Sequence, residues 1–325
     1  MGGKTVDILM ATYNDWESLV ELLPEIDKEL ASIDARGHIV VVDDGSTDIT
    51  DRARISDLNL VAIDKIECIE LYRNQGNQRA NAIGIAYCEA NTDGDYLIIM
   101  DSDQEDKPEY IPRLIKACSE NADGKIVFAE RSRRSEGTAF KFFYGVYQFL
   151  YRLLTGMGIS IGNFSVIPRP LVTRVAHIAE LWSHYPAAIM RARIPYGAIQ
   201  SQRGKRRHGQ SKMSTVPLLL HALSGFTVHA ETIGARVLVT AGAAGLGVLG
   251  LVAVLIGMRL FSDIPVLGWT SQFVGLLVVI IFQIIVTAGI MVFLIIAVRM
   301  QPPMVPAREF SKFVMHQTTL FPAQS

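Results

Sequence analysis

Between residues 6 and 129 the chain alternates short apolar runs with stretches of helical periodicity, a pattern few folds accommodate. The runs Val6–Ala11, Ile39–Asp43, Ile66–Leu71, Tyr96–Met100 and Ile126–Ala129 read as strands. After the first of them, Leu19, Leu22, Leu23, Ile26 and Leu30 share one helical face, with Pro24 placed to kink it. Thr47-Asp48 and Pro108-Glu109 have the composition of helix starts, a cap or an N1 proline followed by an acid. Strand–helix alternation of this length predicts an α/β domain: a mostly parallel sheet covered on both faces. In such sheets ligands bind in the crevice outside the carboxyl ends of the strands.

Those carboxyl ends are polar. They gather Thr12-Tyr13-Asn14-Asp15, Asp43-Asp44-Gly45-Ser46, Arg73-Asn74-Gln75-Gly76 and Asp101-Ser102-Asp103-Gln104-Glu105-Asp106. The last follows Tyr96–Met100, a run apolar enough to be buried on both faces. Asp101 and Asp103, two apart in a turn, can reach one hard cation, with Glu105 close enough to help. Oxygen ligands of this kind suit Mg²⁺ or Mn²⁺ bridging a substrate diphosphate. Asp-x-Asp alone arises by chance about once in a chain of this length, so its weight comes from its company. Asp43 or Asp44 can accept hydrogen bonds from a ribose or base, and Gly45 and Gly76 let the backbone approach a ligand. No Gly-x-Gly-x-x-Gly follows the first strand and no Gly-x-x-x-x-Gly-Lys occurs, which argues against a dinucleotide cofactor and a P-loop NTPase.

Bulk composition narrows the field further. The 325 residues carry 31 basic and 32 acidic side chains, a net charge of −1, so nothing calls for nucleic acid as a partner. Half of the residues are hydrophobic, and the excess lies toward the C-terminus. Cys68, Cys88 and Cys118 sit in apolar or helical settings without metal-ligand spacing, and buried reduced thiols are expected. The first residues lead into a strand without a signal-peptide core, so the first domain is expected to stay in the cytosol.

Taken together, Ala11-Thr12-Tyr13-Asn14-Asp15, Asp43-Asp44-Gly45-Ser46-x-Asp48, Asn74-x-Gly76 and Met100-Asp101-x-Asp103 resemble, in order and spacing, the family 2 glycosyltransferases. The resemblance implies a GT-A catalytic fold and a nucleotide-sugar donor. It implies that Ala11, Thr12, Tyr13, Asp15, Asp43, Asp44, Asn74, Gly76 and Ser102 contact the donor nucleotide. It makes Asp101 and Asp103 metal ligands, with Glu105 standing where the family often has Gln.

Farther along, Arg131, Arg133 and Arg134 precede an aromatic run, Phe140–Leu154. Phe142, Phe143, Val146, Phe149, Leu150 and Leu153 recur there at helical spacing, compatible with core packing or with a helix on a membrane surface. In relatives with polyprenyl-phosphate acceptors a Gly-Asp-Phe-Arg-like element follows, whose Asp has been a candidate base. Here the element is Gly162-Asn163-Phe164-Ser165, and Asn163 cannot take a proton. A phosphate monoester is already mostly a dianion at neutral pH, so such an acceptor needs positioning more than deprotonation. Asn163 is therefore expected to orient substrate.

The stretch from Arg203 to Lys212 carries Arg203, Lys205, Arg206, Arg207 and Lys212 with no acid among them. Arg203, Arg206, Gly209, Ser211 and Lys212 match the Arg-x-x-Arg-x-x-Gly-x-Ser-Lys element of dolichyl-phosphate mannose synthase and its undecaprenyl-phosphate relatives. By that resemblance Arg131, Arg203, Arg206 and Lys212 shield anionic groups of acceptor and diphosphate, and Ser211 donates a hydrogen bond. Beyond it, Val237–Met258 and Phe273–Val298 are each long and apolar enough to cross a bilayer. Gly242, Ala243, Gly245, Gly247 and Gly250 give the first span a small-residue face, which favours close helix packing within one chain or in a homo-oligomer. Basic residues on both flanks place both termini in the cytosol by the positive-inside rule.

The sequence thus predicts a GT-A domain over 1–212, an amphipathic juxtamembrane region over 213–235, two transmembrane helices over 236–300 and a cytosolic tail over 301–325. Its expected activity is metal-dependent, inverting transfer of a sugar from a nucleotide-sugar to a polyprenyl phosphate at the membrane. The alternatives are a transferase extending a sugar on a lipid or polysaccharide, and a degenerate scaffold subunit.

Overall fold

The computed structural model describes residues 3–120, 124–131, 138–158, 161–202, 204, 224–261, 269–300 and 302–322. Eight strands form one sheet: β1 (Lys4–Thr12), β2 (Ala35–Asp43), β3 (Ile63–Leu71), β4 (Tyr96–Asp101), β5 (Ile126–Arg131), β6 (Ile161–Pro168), β7 (Tyr196–Ser201) and β8 (Val314–Phe321). Their order is β7-β5-β6-β4-β1-β2-β3-β8. β1 pairs in parallel with β2 and β4, as β2 does with β3 and β5 with β7. β6 and β8 run antiparallel to their neighbours, so the sheet is mixed although its centre is parallel.

Alternation along the central strands divides the core into two layers. Ile8, Met10, Ile39, Val41, Ile98 and Met100 face α1 (Trp16–Ser32) and α3 (Ile111–Ser119). Leu9, Val40, Val42, Leu97 and Ile99 face α2 (Asn77–Asn91), α5 (Arg169–Ala176) and α6 (Tyr185–Arg191). Pro24 lies inside α1. The start expected at Thr47-Asp48 becomes a 3-10 helix over Thr50–Asp57, with Asp48 Oδ1 accepting from the Thr50 N–H at 3.1 Å. The one expected at Pro108 is a 3-10 turn that runs on into α3. All three cysteines are free and buried, and burial pushes the Cys68 thiol up to about 12.

Contacts divide the chain into two compact units. One contains residues 1–147, 158–228 and 303–325, and the other contains 148–157 and 229–302. The second unit is built on α7 (Ala230–Phe261) and α8 (Trp269–Met300), within which Ala230–Met258 and Gln272–Ala297 are long and apolar enough to span a membrane. A side chain on Gly234 would come within 2.7 Å of Ile295 Cδ1, so a small residue lets these helices approach there. In the same unit the Arg236 guanidinium donates to the Leu153 carbonyl at 2.8 Å, and Tyr151 meets the His229 ring edge-on.

Of the aromatic run, α4 (Thr138–Thr155) buries Tyr151 but leaves Val146, Phe149, Leu150 and Leu153 exposed, with Phe149 at 66%. Core packing is therefore not what holds these four side chains. The tail is structured. After α8 the chain returns to the sheet, where β8 pairs with β3 from Ile66↔Phe321 to Leu71↔Val314. Ahead of it Phe310 meets the Tyr87 ring edge-on, Phe313 packs on Trp182, and the Trp182 indole donates to the Met304 carbonyl at 3.0 Å. Residues 304–321 are thus part of the first unit rather than an appendage.

Candidate active site

Strand register brings the predicted strand ends together. Thr12 lies beside Asp43, Ala11 beside Asp101, and Asp43 beside Glu70. The loops that follow are laced to one another. Asn14 Oδ1 accepts from the N–H groups of Thr47 (2.8 Å) and Asp48 (3.0 Å), and the Asn14 N–H donates to Ser46 Oγ at 2.8 Å. Asp15 stands at the N-cap position of α1, where its side chain accepts from Ser18 Oγ at 2.7 Å rather than from a backbone N–H. Ser102 is buried, its hydroxyl donating to the Ala11 carbonyl at 2.9 Å, which ties β4 to β1 beneath the acidic turn. Tyr13 stands exposed at the rim, while Thr12 is buried with its hydroxyl unpartnered among the described residues.

Asp43 and Asp44, interchangeable in sequence, are not so in space. Both are buried. Asp43 Oδ1 accepts from the Ser46 N–H at 2.8 Å. Asp44 takes the N–H of Gln75 on one oxygen (2.6 Å) and that of Gly76 on the other (2.8 Å), so its carboxylate braces the β3–α2 loop. Burial raises its pKa above the usual aspartate value against the pull of those two N–H groups, and neighbouring Asp43 adds to the rise. Asp44→Asn would turn one acceptor into a donor facing an N–H. It is expected to cost about 1–3 kcal/mol, read as a lowered melting temperature. Gly45, expected to make room for ligand, makes room for this loop: at φ 75° a Cβ would lie 2.9 Å from the backbone of Arg73 and Asn74.

The acidic turn is held from several sides. Asp106 Oδ2 accepts from the Asp101 N–H at 3.0 Å, and Asp103 Oδ1 from the Glu105 N–H at 3.1 Å. Two residues that sequence reasoning passed over complete it from the start of α2. Asn77 Nδ2 donates to Asp101 Oδ1 at 3.2 Å, and Gln78 Nε2 to Asn163 Oδ1 at 3.2 Å. Gln78 Oε1 in turn accepts from the Tyr185 N–H at 2.8 Å. β6 faces β4 with Ile99 opposite Ser165, and the same register continued by two residues brings Asn163 level with Asp101. The only sequence signal for Asn77 and Gln78 was their place directly after Asn74-x-Gly76.

Among the described residues no three His, Cys, Asp or Glu side chains gather into a metal cage. Asp101 and Asp103 are two hard oxygen donors, the number with which Mg²⁺ is commonly held when substrate phosphates supply further ligands. The donor set fits a cation shared with a diphosphate. For Glu105, expected as a third ligand, the described residues show a backbone role: its carbonyl accepts from the Gly204 N–H at 2.8 Å. Arg131 ends β5 with its backbone paired to Ser201. Arg203, Arg206, Ser211 and Lys212 lie outside the described residues.

The family model for glycosyl transferase family 2 matches residues 7–170, from the first strand through the end of β6. The chain belongs to that family. This family 2 glycosyltransferase is 24% identical over 276 residues to the "Uncharacterized glycosyltransferase YkcC" of Bacillus subtilis (strain 168), covering 82% of this chain and 81% of that protein. It is 37% identical over 138 residues to the undecaprenyl-phosphate 4-deoxy-4-formamido-L-arabinose transferase of Pseudomonas syringae pv. syringae (strain B728a). That match covers 41% of this chain and spans 37% of the relative's length. The namesake from Salmonella choleraesuis (strain SC-B67) is 27% identical over 222 residues, 66% of this chain and 64% of its own. Among solved structures, glucosyl-3-phosphoglycerate synthase from Mycobacterium tuberculosis in complex with uridine diphosphate superposes with a TM-score of 0.50. It is 15% identical, over 71% of this chain and 81% of that one, a likeness of fold that places the glycosyltransferase among GT-A proteins.

Proposed function

We propose that this glycosyltransferase moves a sugar from a nucleotide-sugar to a polyprenyl phosphate at a membrane face, with inversion and with Mg²⁺ or Mn²⁺. The observation that carries the reading is the hydrogen bond from Gly204 to the carbonyl of Glu105, together with that from the Gln202 N–H to the Tyr110 hydroxyl at 3.0 Å. These contacts tie the chain to the acidic turn where its arginine-rich stretch begins. By sequence the cationic stretch adjoins Gly204, and cations near a carboxylate pair would suit an anionic acceptor meeting an anionic leaving group. The names of the undecaprenyl-phosphate relatives point to the same acceptor class.

In this mechanism Asp101 and Asp103 would hold the cation, and a cation there would supply positive charge to offset that of a nucleoside diphosphate leaving group. An oxygen of the acceptor phosphate forms the new bond to the anomeric carbon as the carbon–oxygen bond to the diphosphate breaks. The diphosphate leaves with the electron pair. Since the acceptor is already a dianion at neutral pH, no side chain has to remove a proton. Asn163, oriented by Gln78, positions the acceptor, and Asp43 addresses the nucleoside.

Two helices of spanning length support membrane residence, as does the exposed apolar face of α4, which suits the boundary between headgroups and acyl chains. Two crossings bring the chain back to the side it left. That residues before and after the helices build one sheet supports a reading in which both ends share the catalytic side, and the basic flanks favour the cytosol for it.

The test supplies membranes containing the protein with labelled nucleotide-sugars, polyprenyl phosphate and Mg²⁺ or Mn²⁺. Label is expected to enter the organic phase from one preferred donor, to stop when the metal is chelated, and to resume when it is restored. Label that appears only on a preformed glycan would overturn the acceptor assignment.

A further inference from the structure

The acidic turn is an awkward piece of backbone. Gln104, between the two acids and Glu105, has φ 64°, a left-handed conformation that non-glycine residues seldom adopt. Such a conformation persists only where the surroundings over-determine it. Two braces do so, from opposite parts of the sequence. Gln104 is itself buried, and its amide nitrogen donates to the Ser18 carbonyl at 3.1 Å and to Glu21 Oε2 at 3.2 Å, both on α1. From the other side Gly204 donates its N–H to the Glu105 carbonyl at 2.8 Å. A Cβ on Gly204 would lie 2.3 Å from the Gln104 carbonyl oxygen and 3.2 Å from that of Glu105, so only glycine can stand there without displacing the turn.

We propose that Gln104 and Gly204 are positioning residues that together set the geometry of Asp101 and Asp103. Neither touches substrate. Gln104 pins the turn to α1 from within, and Gly204, beyond the end of β7, lies against its two central carbonyls. The carboxylates are thereby held at a fixed separation before cation and diphosphate arrive. This rests on the metal reading above, and its test separates the two.

The experiment uses the full chain in detergent or nanodiscs with Gln104→Leu, which keeps bulk and removes the amide, and with Gly204→Ala, which adds the offending Cβ. Mn²⁺ binding in the presence of uridine diphosphate or guanosine diphosphate is read from the free-ion electron paramagnetic resonance signal. Thermal unfolding is followed in parallel, and Asp103→Asn serves as reference. Each brace variant is expected to bind Mn²⁺ roughly tenfold more weakly, the scale on which partners of metal ligands act, with melting within a few degrees of wild type. The rate at saturating Mn²⁺ should recover further for Gln104→Leu than for Asp103→Asn, since the ligands themselves remain. Wild-type Mn²⁺ affinity in both brace variants, with affinity lost in Asp103→Asn, would overturn the inference and leave the metal reading intact. Unchanged affinity in Asp103→Asn as well would remove the metal reading. If Gly204→Ala fails to fold, Gln104→Leu decides alone.

Discussion

Asp103→Asn is expected to lower sugar transfer on the order of 10²- to 10³-fold while leaving the domain folded. The reason lies in what the substitution keeps and what it removes. Asparagine retains an oxygen at Oδ1, so the hydrogen bond from the Glu105 N–H, 3.1 Å long, survives and the turn keeps its shape. The negative charge disappears, and with it half of the carboxylate pair proposed to hold the cation. Initial rates at saturating nucleotide-sugar and high Mn²⁺, with melting curves alongside, provide the measurement. A rate within a few-fold of wild type would show that the acids are ordinary turn residues. A catalytically degenerate scaffold would likewise show no phenotype for this change.

A larger effect, of a different kind, is expected when residues 303–325 are deleted. Ala307, Phe310, Phe313 and Val314 pack on the layer of the core that contains α2, and Leu320 and Phe321 on the opposite layer. Partial burial of the five larger side chains contributes about 1–2 kcal/mol each. Their sum, on the order of 5–10 kcal/mol, is comparable to the whole stability of a typical domain. The deletion also strips β3 of its partner and leaves an unpaired strand edge, a template for aggregation. The expected outcome is loss of cooperative unfolding and of monodisperse protein in detergent, even though both apolar helices remain. A soluble piece ending at residue 228 should fail in the same way and be rescued by co-expressing the 303–325 segment. If the deleted chain melts like wild type, β8 is dispensable trim.

This second expectation has a consequence for activity. α2 begins with Asn77 and Gln78, which hold Asp101 and Asn163, and its far side is covered by Phe310 against Tyr87. The segment following the apolar helices therefore packs on the helix whose first residues reach Asp101 and Asn163, and its loss is expected to lower activity as well.

What was legible in the sequence, and what was not, divides along the range of the interactions. The five expected strands are present because burial on two faces leaves an unbroken apolar run that any window detects. β7 and β8 were missed because edge strands lack that signature: β8 is exposed or half-buried along its whole length. β6 was read as a motif around Asn163 rather than as a strand, since its first residues are polar and glycine-containing. Among the strand-end acids, Asp43 and Asp44 were equivalent as letters. Only the loop from β3, arriving from thirty-odd residues away, commits Asp44 to the N–H groups of Gln75 and Gly76.

By itself, the order of residues determined the parallel centre of the sheet, the polar crevice at its carboxyl ends, the acid pair and the two helices long enough to span a bilayer. Each of these is written in a local periodicity or in a short motif whose members are covalently close. Tertiary structure alone decided that Asn77 reaches Asp101, that Gln78 reaches Asn163 across 85 residues, that Gly204 lies on the acidic turn, and that β8 closes the sheet beside β3. Those pairings join ordinary polar or exposed residues, which carry no hydrophobic pattern to announce them. They are fixed only when the packed core sets the distance between the backbones that carry them.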